Sequence, residues 1–338
     1  AVADNETPIW DIVANTGFDV PNLRTLVSAT DVEVNSEVNI ANSEVKAIGG
    51  SKDNNLTDEN GNILHGNLNI QSVANSQVIT TGLGLINYSA IIGISDVNSG
   101  ITITNSDLYA TDNLKISAKG DNTVNLSYLD LSLLDMVETL RGIPSAAFNW
   151  AEINSDVQVN VDNTSTLNVQ GNVDVHAESI RNLSSDTVAG GDTDKLGFVA
   201  SVAIADTNAE ANIAGNINAD GAITVSALNS VAKDGDFYVA DTSVAESMSG
   251  DTFLGKPAVN AVKLSLNKVV QSLSEHKGFD ITGVPGKDRD WGLNAATAVL
   301  VSENNATASV TGRVRDYSGN DGAGSLNVLA ENISRTSM

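Results

Sequence analysis

The chain has 338 residues, of which 4% are aromatic and 18% are charged, and its formal net charge is −24. A negative charge of this size argues against nucleic acid and anionic lipid as partners. The absence of cysteine excludes disulfides and thiolate metal sites.

The first part of the chain, residues 1–28, predicts an irregular lead, since Pro8, Gly17 and Pro21 interrupt it. The sequence starts at Ala1 without a basic segment followed by an apolar one. We interpret the chain as a processed form or a piece of a longer protein. No apolar run is long enough to span a membrane.

Strands with a period of two follow the lead. Apolar and polar residues alternate first over 32–35 and 38–40, and a polar loop covers 49–62. Each later unit has an opening strand, a second strand rich in Thr or Ala, and a closing strand. Ile91–Asp96 corresponds to Ser201–Asp206, and we interpret the Asp as the end of a short strand, before a turn that carries Asn98 or Asn208.

The closing strands are the clearest internal repeat. All five combine a small or acidic first residue with alternating apolar positions, and they start at residues 66, 112, 171, 221 and 324. Such recurrence is the signature of a repeat architecture. The first three intervals are about fifty residues and the last is about double, which predicts roughly two solenoid rungs per unit.

Two segments are predicted to leave the stack as helices. Leucines at helical spacing predict a short helix near 129–141, ended by Gly142 and Pro144. A second apolar segment begins at Pro257 and extends to His276. The insertions cover about 129–150 and 251–291. Three tryptophans that precede repeat units are interpreted as anchors for such excursions, namely Trp10, Trp150 and Trp291.

These patterns predict an all-β fold, a parallel β-solenoid (β-helix) of irregular rungs with two short helical insertions. One elongated solenoid domain is expected to cover 1–338. The alternative is an array of β-sandwiches, which requires longer strands at more even hairpin spacing.

The units read apolar-x-apolar-x-Asp/Glu-x-Asn, then a Thr/Ala-rich strand, then Gly-(Ala/Asn/Ser)-(Ile/Leu/Val)-x-Val-x-Ala-x-Asn/Ser. This pattern resembles the repetitive region of large bacterial surface exoproteins, the filamentous-haemagglutinin-like and leukotoxin-like adhesins. Residues 200–229 and 295–332 carry the resemblance best, within most of 30–338. The resemblance implies an extended rod displayed on, or released from, a bacterial cell.

No catalytic constellation is predicted, and the chain is expected not to be an enzyme. The three histidines, at 65, 176 and 276, lie in different units and lack metal-type spacing. Glu152, Asp156 and Asp174 are close in sequence, but strand alternation places them on solvent-facing positions. No motif indicates a cofactor.

Acidic loops supply the remaining ligand-type residues. Carboxylates on flexible loops suit Ca²⁺, and the weak calcium candidates are Asp192, Asp194, Asp234, Asp236, Asp316 and Asp321. None fits an EF-hand or a calcium β-roll repeat. The alternative is that these residues only form turns.

The sequence favours a structural or adhesive repeat segment of a bacterial extracellular or cell-surface filament. Expected partners are further repeats of a longer chain, or other copies stacked head to tail as a homo-oligomer, and host-cell or matrix glycans and proteins. Two alternatives remain: a carbohydrate-active β-helix enzyme and a calcium-dependent matrix or S-layer-like protein. The expected location is the bacterial surface or the surrounding medium.

Overall fold

The structure is a computed structural model. It describes residues 25–50, 59, 65–83, 88–129, 146–191, 197–249, 294–320, 322 and 324–338. In this part of the chain, strands and turns are present but no helix.

The strands form five successive turns, which we call rungs 1 to 5. Rung 1 contains β1 (Thr25–Ala41), β2 (Glu44–Ala47) and β3 (Leu68–Leu83). Rung 2 contains β4 (Tyr88–Thr104), β5 (Asp107–Ala110) and β6 (Leu114–Leu129). Rung 3 contains β7 (Ala146–Val161), β8 (Thr166–Val169) and β9 (Val173–Gly191).

Rungs 4 and 5 have the same order with additions. Rung 4 contains β10 (Gly197–Ile213), β11 (Asn216–Ala219), β12 (Ala222–Val231), the hairpin β13 (Lys233–Asp234) and β14 (Phe237–Tyr238), and β15 (Asp241–Ser249). Rung 5 contains β16 (Asn294–Val310), β17 (Val314–Arg315), β18 (Ser325–Ile333) and β19 (Thr336–Ser337).

Equivalent strands of successive rungs pair in parallel and build three sheets. The front sheet has the order β1-β4-β7-β10-β16, and the side sheet has the order β2-β5-β8-β11-β17. The back sheet contains β3, β6 and β9, followed by β12 and β15 of rung 4 and β18 and β19 of rung 5. The prediction of a parallel β-solenoid is therefore confirmed.

The predicted repeat matches the register of the back sheet. The first apolar residues of the five closing strands stand in one row, which contains Leu68, Leu114, Val173, Ile223 and Leu326. The correspondence of the opening strands is also confirmed, since Asp96 and Asp206 both pair with Asn154 of β7.

The prediction of two rungs per unit is wrong, because each unit forms a single rung of long strands. The front strands have 16 or 17 residues. Asp206 and Asn208 do not form a turn but lie on the outer face of β10, while Ala205, Thr207 and Ala209 point inward. The inward–outward alternation continues through these polar residues, so the strand continues as well.

The predicted insertions and lead are only partly within the described residues. Leu126 and Leu129 belong to β6, and β7 already begins at Ala146, so both ends of the 129–150 segment are strand rather than helix. Residues 130–145 and 251–291 lie outside the described residues. The first strand begins at Thr25 instead of residue 32, and it is a single strand up to Ala41.

Glycine precedes the back sheet in four rungs because the rungs approach closely there. A Cβ atom on Gly221 would lie 2.6 Å from the backbone O of Gly171 in the rung below, and one on Gly171 would lie 2.4 Å from the O of Asp112. Both distances are shorter than a normal contact, so a side chain at either position would push the rungs apart.

The interior has two different parts. Where all three sheets meet, one continuous apolar cluster fills the space with residues such as Ile103, Leu167 and Val175. We call this region the three-walled core. Beyond the side sheet, the front and back sheets face each other directly, and we call the space between them the two-walled core.

Buried serines span the two-walled core and show how closely its sheets approach. The hydroxyl groups of front-sheet Ser95 and back-sheet Ser76 lie 2.6 Å apart. Ser201 of the front sheet and Ser185 of the back sheet lie 2.7 Å apart. Since a serine side chain is short, two serines can meet only where the strands are near neighbours.

Candidate assembly interface

The back sheet ends with exposed core-type residues in rung 5. Leu326 and Val328 pair with Ile223 and Val225, which have no exposed surface. Leu326 itself is 49% exposed and Val328 is 42% exposed. These side chains occupy inward positions but have no further rung above them among the described residues, so the apolar interior is open at this end.

The front sheet is open at the same end. Leu300 and Ala306 occupy the inward positions of β16 and are only partly buried, whereas their register partners Ala203 and Ala209 are fully buried. Within the described part of the chain, β16 pairs only with β10. Its other edge therefore presents backbone N–H and C=O groups that are available to another strand.

The opposite end of the stack carries negative charge. β1 pairs only with β4 among the described strands. Its outward positions include Asp31, Glu33 and Glu37, all of them exposed. Charged side chains along an edge strand are a common means of limiting uncontrolled strand pairing.

A buried polar network joins rungs 3, 4 and 5. Arg181 is fully buried, and its Nε donates to Asp241 Oδ2 at 2.8 Å. The guanidinium also donates to Asn229 Oδ1 at 3.2 Å and to Ser334 Oγ at 3.2 Å. The network therefore ties β9 of rung 3 to strands of rung 4 and to the chain that leads to β19 in rung 5.

The β13–β14 hairpin brings Asp241 to this position. It interrupts the back strand of rung 4 between Val231 and Asp241, and Gly235 at its tip has a φ of 60°. Burial raises the pKa of the Asp241 carboxyl above its ordinary value, an effect that the charge and hydrogen bond of Arg181 offset only in part. The ion pair therefore carries a desolvation cost.

Only three of the six calcium candidates lie within the described residues, and they belong to two separate loops. Asp192, Asp194 and Asp321 lie outside the described residues. Asp234 and Asp236 are exposed on the β13–β14 hairpin. In the described residues, no group of three or more His, Asp or Glu side chains has a metal-binding arrangement.

Asp316 has a structural role in the loop after β17. Its carboxylate accepts bonds from the backbone N of Asn320 at 2.7 Å and from the Asn320 side chain at 2.9 Å. These bonds, led by that from the Asn320 side chain, lower the pKa of the Asp316 carboxyl. In this conformation the carboxylate holds the loop closed through its hydrogen bonds to Asn320.

The two described histidines have separate partners. His65 Nδ1 lies 3.0 Å from Asp112 Oδ2, and His176 Nδ1 lies 2.9 Å from Ser226 Oγ. His276 is outside the described residues.

The three acids that are close in sequence lie on different outer faces. Glu152 and Asp156 point outward from the front sheet, and Asp174 points outward from the back sheet. The body of the solenoid therefore separates Asp174 from Glu152 and Asp156, so Asp174 does not form a glycosidase carboxylate pair with either of them.

Trp150 lies within a strand rather than before the repeat unit. It points outward from β7, its ring centroid is 6.5 Å from that of Phe148, and its Nε1 donates to Glu152 Oε2 at 3.0 Å. Trp10 and Trp291 are outside the described residues. The anchor interpretation therefore finds no support at Trp150.

Sequence reasoning missed the buried network, although one signal was present. Counting alternate residues from Val173 along β9 places Arg181 in an inward position. A charged side chain at an inward position needs a partner. The partner, Asp241, could not be identified, because the β13–β14 hairpin breaks the alternation before it.

Comparison of the chain with protein-family models, with curated proteins and with solved structures found no match. In the described residues, no helix is long and apolar enough to cross a membrane.

Proposed function

We propose that this chain is a structural repeat segment of a bacterial extracellular or cell-surface filament, in which stacked rungs act as a rigid spacer. The observation that carries the proposal is the open end of rung 5, where Leu326 and Val328 remain exposed at core positions. A further rung would cover these exposed core side chains, as stacked repeats do for one another.

The dimensions of the five rungs support a filament that contains more rungs than these five. Strands of one sheet lie about 4.8 Å apart, so five rungs span only about 20 Å along the stack. A strand of 17 residues, such as β1, is about 55 Å long. The five rungs are therefore broader than they are tall, and a filament would need many such segments in succession.

An adhesive role would rest on the outer faces and on the connections between rungs. The outer face of the front sheet carries rows of acidic and amide side chains, for example Asp96, Asn154 and Asp206, which stand side by side. Hydrogen-bonding groups of this kind suit glycans or polar protein surfaces better than apolar ligands.

The function is tested by locating the segment on cells. We expect antibodies raised against residues 25–338 to label the surface of intact cells of the bacterium that makes the protein, in immunogold electron microscopy. Cells in which this segment has been deleted in frame serve as the control. Labelling that occurs only after the cells are lysed would reject an extracellular spacer.

A further inference from the structure

Asn122 of the back sheet links two successive rungs. Its Nδ2 donates to the backbone O of Ser95 in its own rung at 2.9 Å and to the O of Asn154 in the next rung at 3.0 Å. Asn154 pairs with Asp96, the residue after Ser95. The second acceptor is therefore one position further along the front sheet than the first.

Asn229 repeats this arrangement between rungs 4 and 5. Its Nδ2 donates to the backbone O of Thr207 at 2.7 Å and to the O of Asn305 at 2.9 Å. Asn305 pairs with Asn208, the residue after Thr207. The same offset of one position thus occurs in both asparagine bridges.

Asn332 stands in the equivalent position of the last rung. It pairs with Asn229, and its Nδ2 donates to the backbone O of Asn304 at 2.8 Å. Asn304 is the register partner of Thr207, so the first half of the bridge is present. Asn332 is exposed, and no described residue supplies the second acceptor. Its remaining N–H is thus available to a sixth rung.

We infer that the open face of rung 5 binds rung 1 of a second copy of this chain, with Asn332 donating to the backbone O of Asn35. The inference rests on the proposed function and specifies its partner and register. Continuing the front-sheet rows places Asn35 next to Asn305, one position beyond Asn304, which is the offset that both internal bridges show.

The two end strands match in length and in side chains. β1 and β16 both have 17 residues, and in this register 16 of them lie side by side, from Thr25 beside Ala295 to Ile40 beside Val310. Asn35 already accepts a bond from the side chain of Asn98 at 2.8 Å. Placing Asn305 beside it would extend this row of amides across the junction, as asparagine ladders do in stacked strands.

Exposed Leu326 and Val328 supply the apolar contribution, because rung 1 of the second copy would cover them. Charge opposes the contact, since Glu303 of one copy would meet Glu33 of the next. Within the chain, Asp206 and Glu303 are already neighbours in register. We therefore expect association to strengthen as salt screens these charges.

Cross-linking tests the register directly, because the chain contains no cysteine. N35C and N305C variants, mixed and treated with oxidised glutathione at high salt, should give mainly 35–305 disulfides, since paired strands place Cα atoms at a suitable distance. Peptide mass spectrometry identifies the products. Equal amounts of 35–35 and 305–305 products would overturn the proposed arrangement.

Sedimentation equilibrium tests the contribution of Asn332. Asn332→Ala should weaken association about three- to tenfold, the effect of one hydrogen bond. Asn327→Ala, a change at an outward position of β18, is the matched control and should have no effect. Val328→Glu should abolish association, and its melting temperature shows whether it still folds.

The two proposals fail in different ways. A chain that remains monomeric at every concentration and salt level refutes self-stacking. Surface labelling in the same organism would still support the spacer function. If copies of the chain stack in solution but the cell surface is not labelled, the interface is supported and the extracellular function is rejected.

Discussion

The three-walled core and the two-walled core are filled by different kinds of side chain. In the three-walled core, side chains from three directions fill a wide space, and its buried cluster is mainly aliphatic, with a few serines such as Ser99 beside it. In the two-walled core, apolar groups are interrupted by buried polar residues such as Ser95, Asn122 and Arg181. Two facing sheets leave a narrow space, which small hydroxyl residues fill and which polar groups can span with hydrogen bonds.

In the two-walled core, hydrogen bonds fix the position of the front sheet relative to the back sheet. In the three-walled core, the burial of aliphatic side chains provides the stability. Asn122 and Asn229 each bond to the front sheet of two rungs, so they fix the register between sheets as well as between rungs. Aliphatic side chains have no such directional requirement.

The largest expected effect is at the buried ion pair. Asp241→Ala leaves the guanidinium of Arg181 buried without its counter-ion, and we expect the free energy of unfolding to fall by about 3–5 kcal/mol. Urea denaturation provides the measurement. The double variant Arg181→Met/Asp241→Leu should recover most of the loss, because an apolar pair avoids the desolvation cost. A double variant as unstable as Asp241→Ala would contradict this account.

In the three-walled core, the stability lost on substitution should depend on the side-chain volume removed. Leu167 is fully buried at the side sheet. Leu167→Ala should destabilise the protein by about 2–5 kcal/mol, because a cavity remains after the side chain is truncated. The control is Leu329→Ala on the outer face of β18, where Leu329 is about half exposed. Equal urea midpoints for the two variants would reject a tightly packed three-walled core.

In the two-walled core, the stability lost on substitution should instead depend on the hydrogen bonds removed. Ser201 bonds to Ser185 and accepts from the hydroxyl of Ser243 at 3.0 Å. Ser201→Ala should cost about 1–3 kcal/mol, since it removes partners from buried hydroxyls. Exposed Ser325→Ala is the control. A double-mutant cycle with Ser185→Ala should give a coupling of about 0.5 kcal/mol or more, and independent effects would contradict a direct contact.

The sequence predicted the parallel solenoid and the alignment of its repeats, because the period-two pattern and the closing strands reflect the stacking directly. It did not predict strand length. Asp206 and Asn208 are residue types common in turns. Only the uninterrupted alternation, in which Ala205, Thr207 and Ala209 all point inward, shows that the strand continues. Residue type was misleading here, whereas the phase of alternation was informative.

The residues at the open end of the stack could not be predicted from the sequence. The role of Asn332 depends on a comparison with Asn229 and Asn122, whose bonds to the front sheet cross many positions in sequence. Asparagine is common in turns and on surfaces, so its type alone does not distinguish a bridge from a turn. Long-range contacts of this kind become evident only when the sheets are assembled.

The smallest expected effect is at Asp162, in the turn between β7 and β8 of rung 3. Asp162 accepts bonds from Ser165 Oγ at 2.6 Å, from Thr164 Oγ1 at 2.6 Å and from the backbone N of Asn105 at 3.2 Å. Burial alone would raise the pKa of the Asp162 carboxyl, but these hydrogen bonds outweigh it and hold the pKa below its ordinary value.

A carboxyl whose pKa is lowered on folding stabilises the protein above its unfolded pKa, and this contribution is lost as the pH falls through the folded pKa. Asp162→Asn should therefore lower the free energy of unfolding by about 1 kcal/mol at neutral pH. The gap to the unmodified protein should close in acid, as urea titrations at several pH values would show. Thr164→Val, which keeps the carboxylate but removes one donor, should give a smaller gap. A gap that is constant with pH would mean that Asp162 acts through its shape rather than its charge.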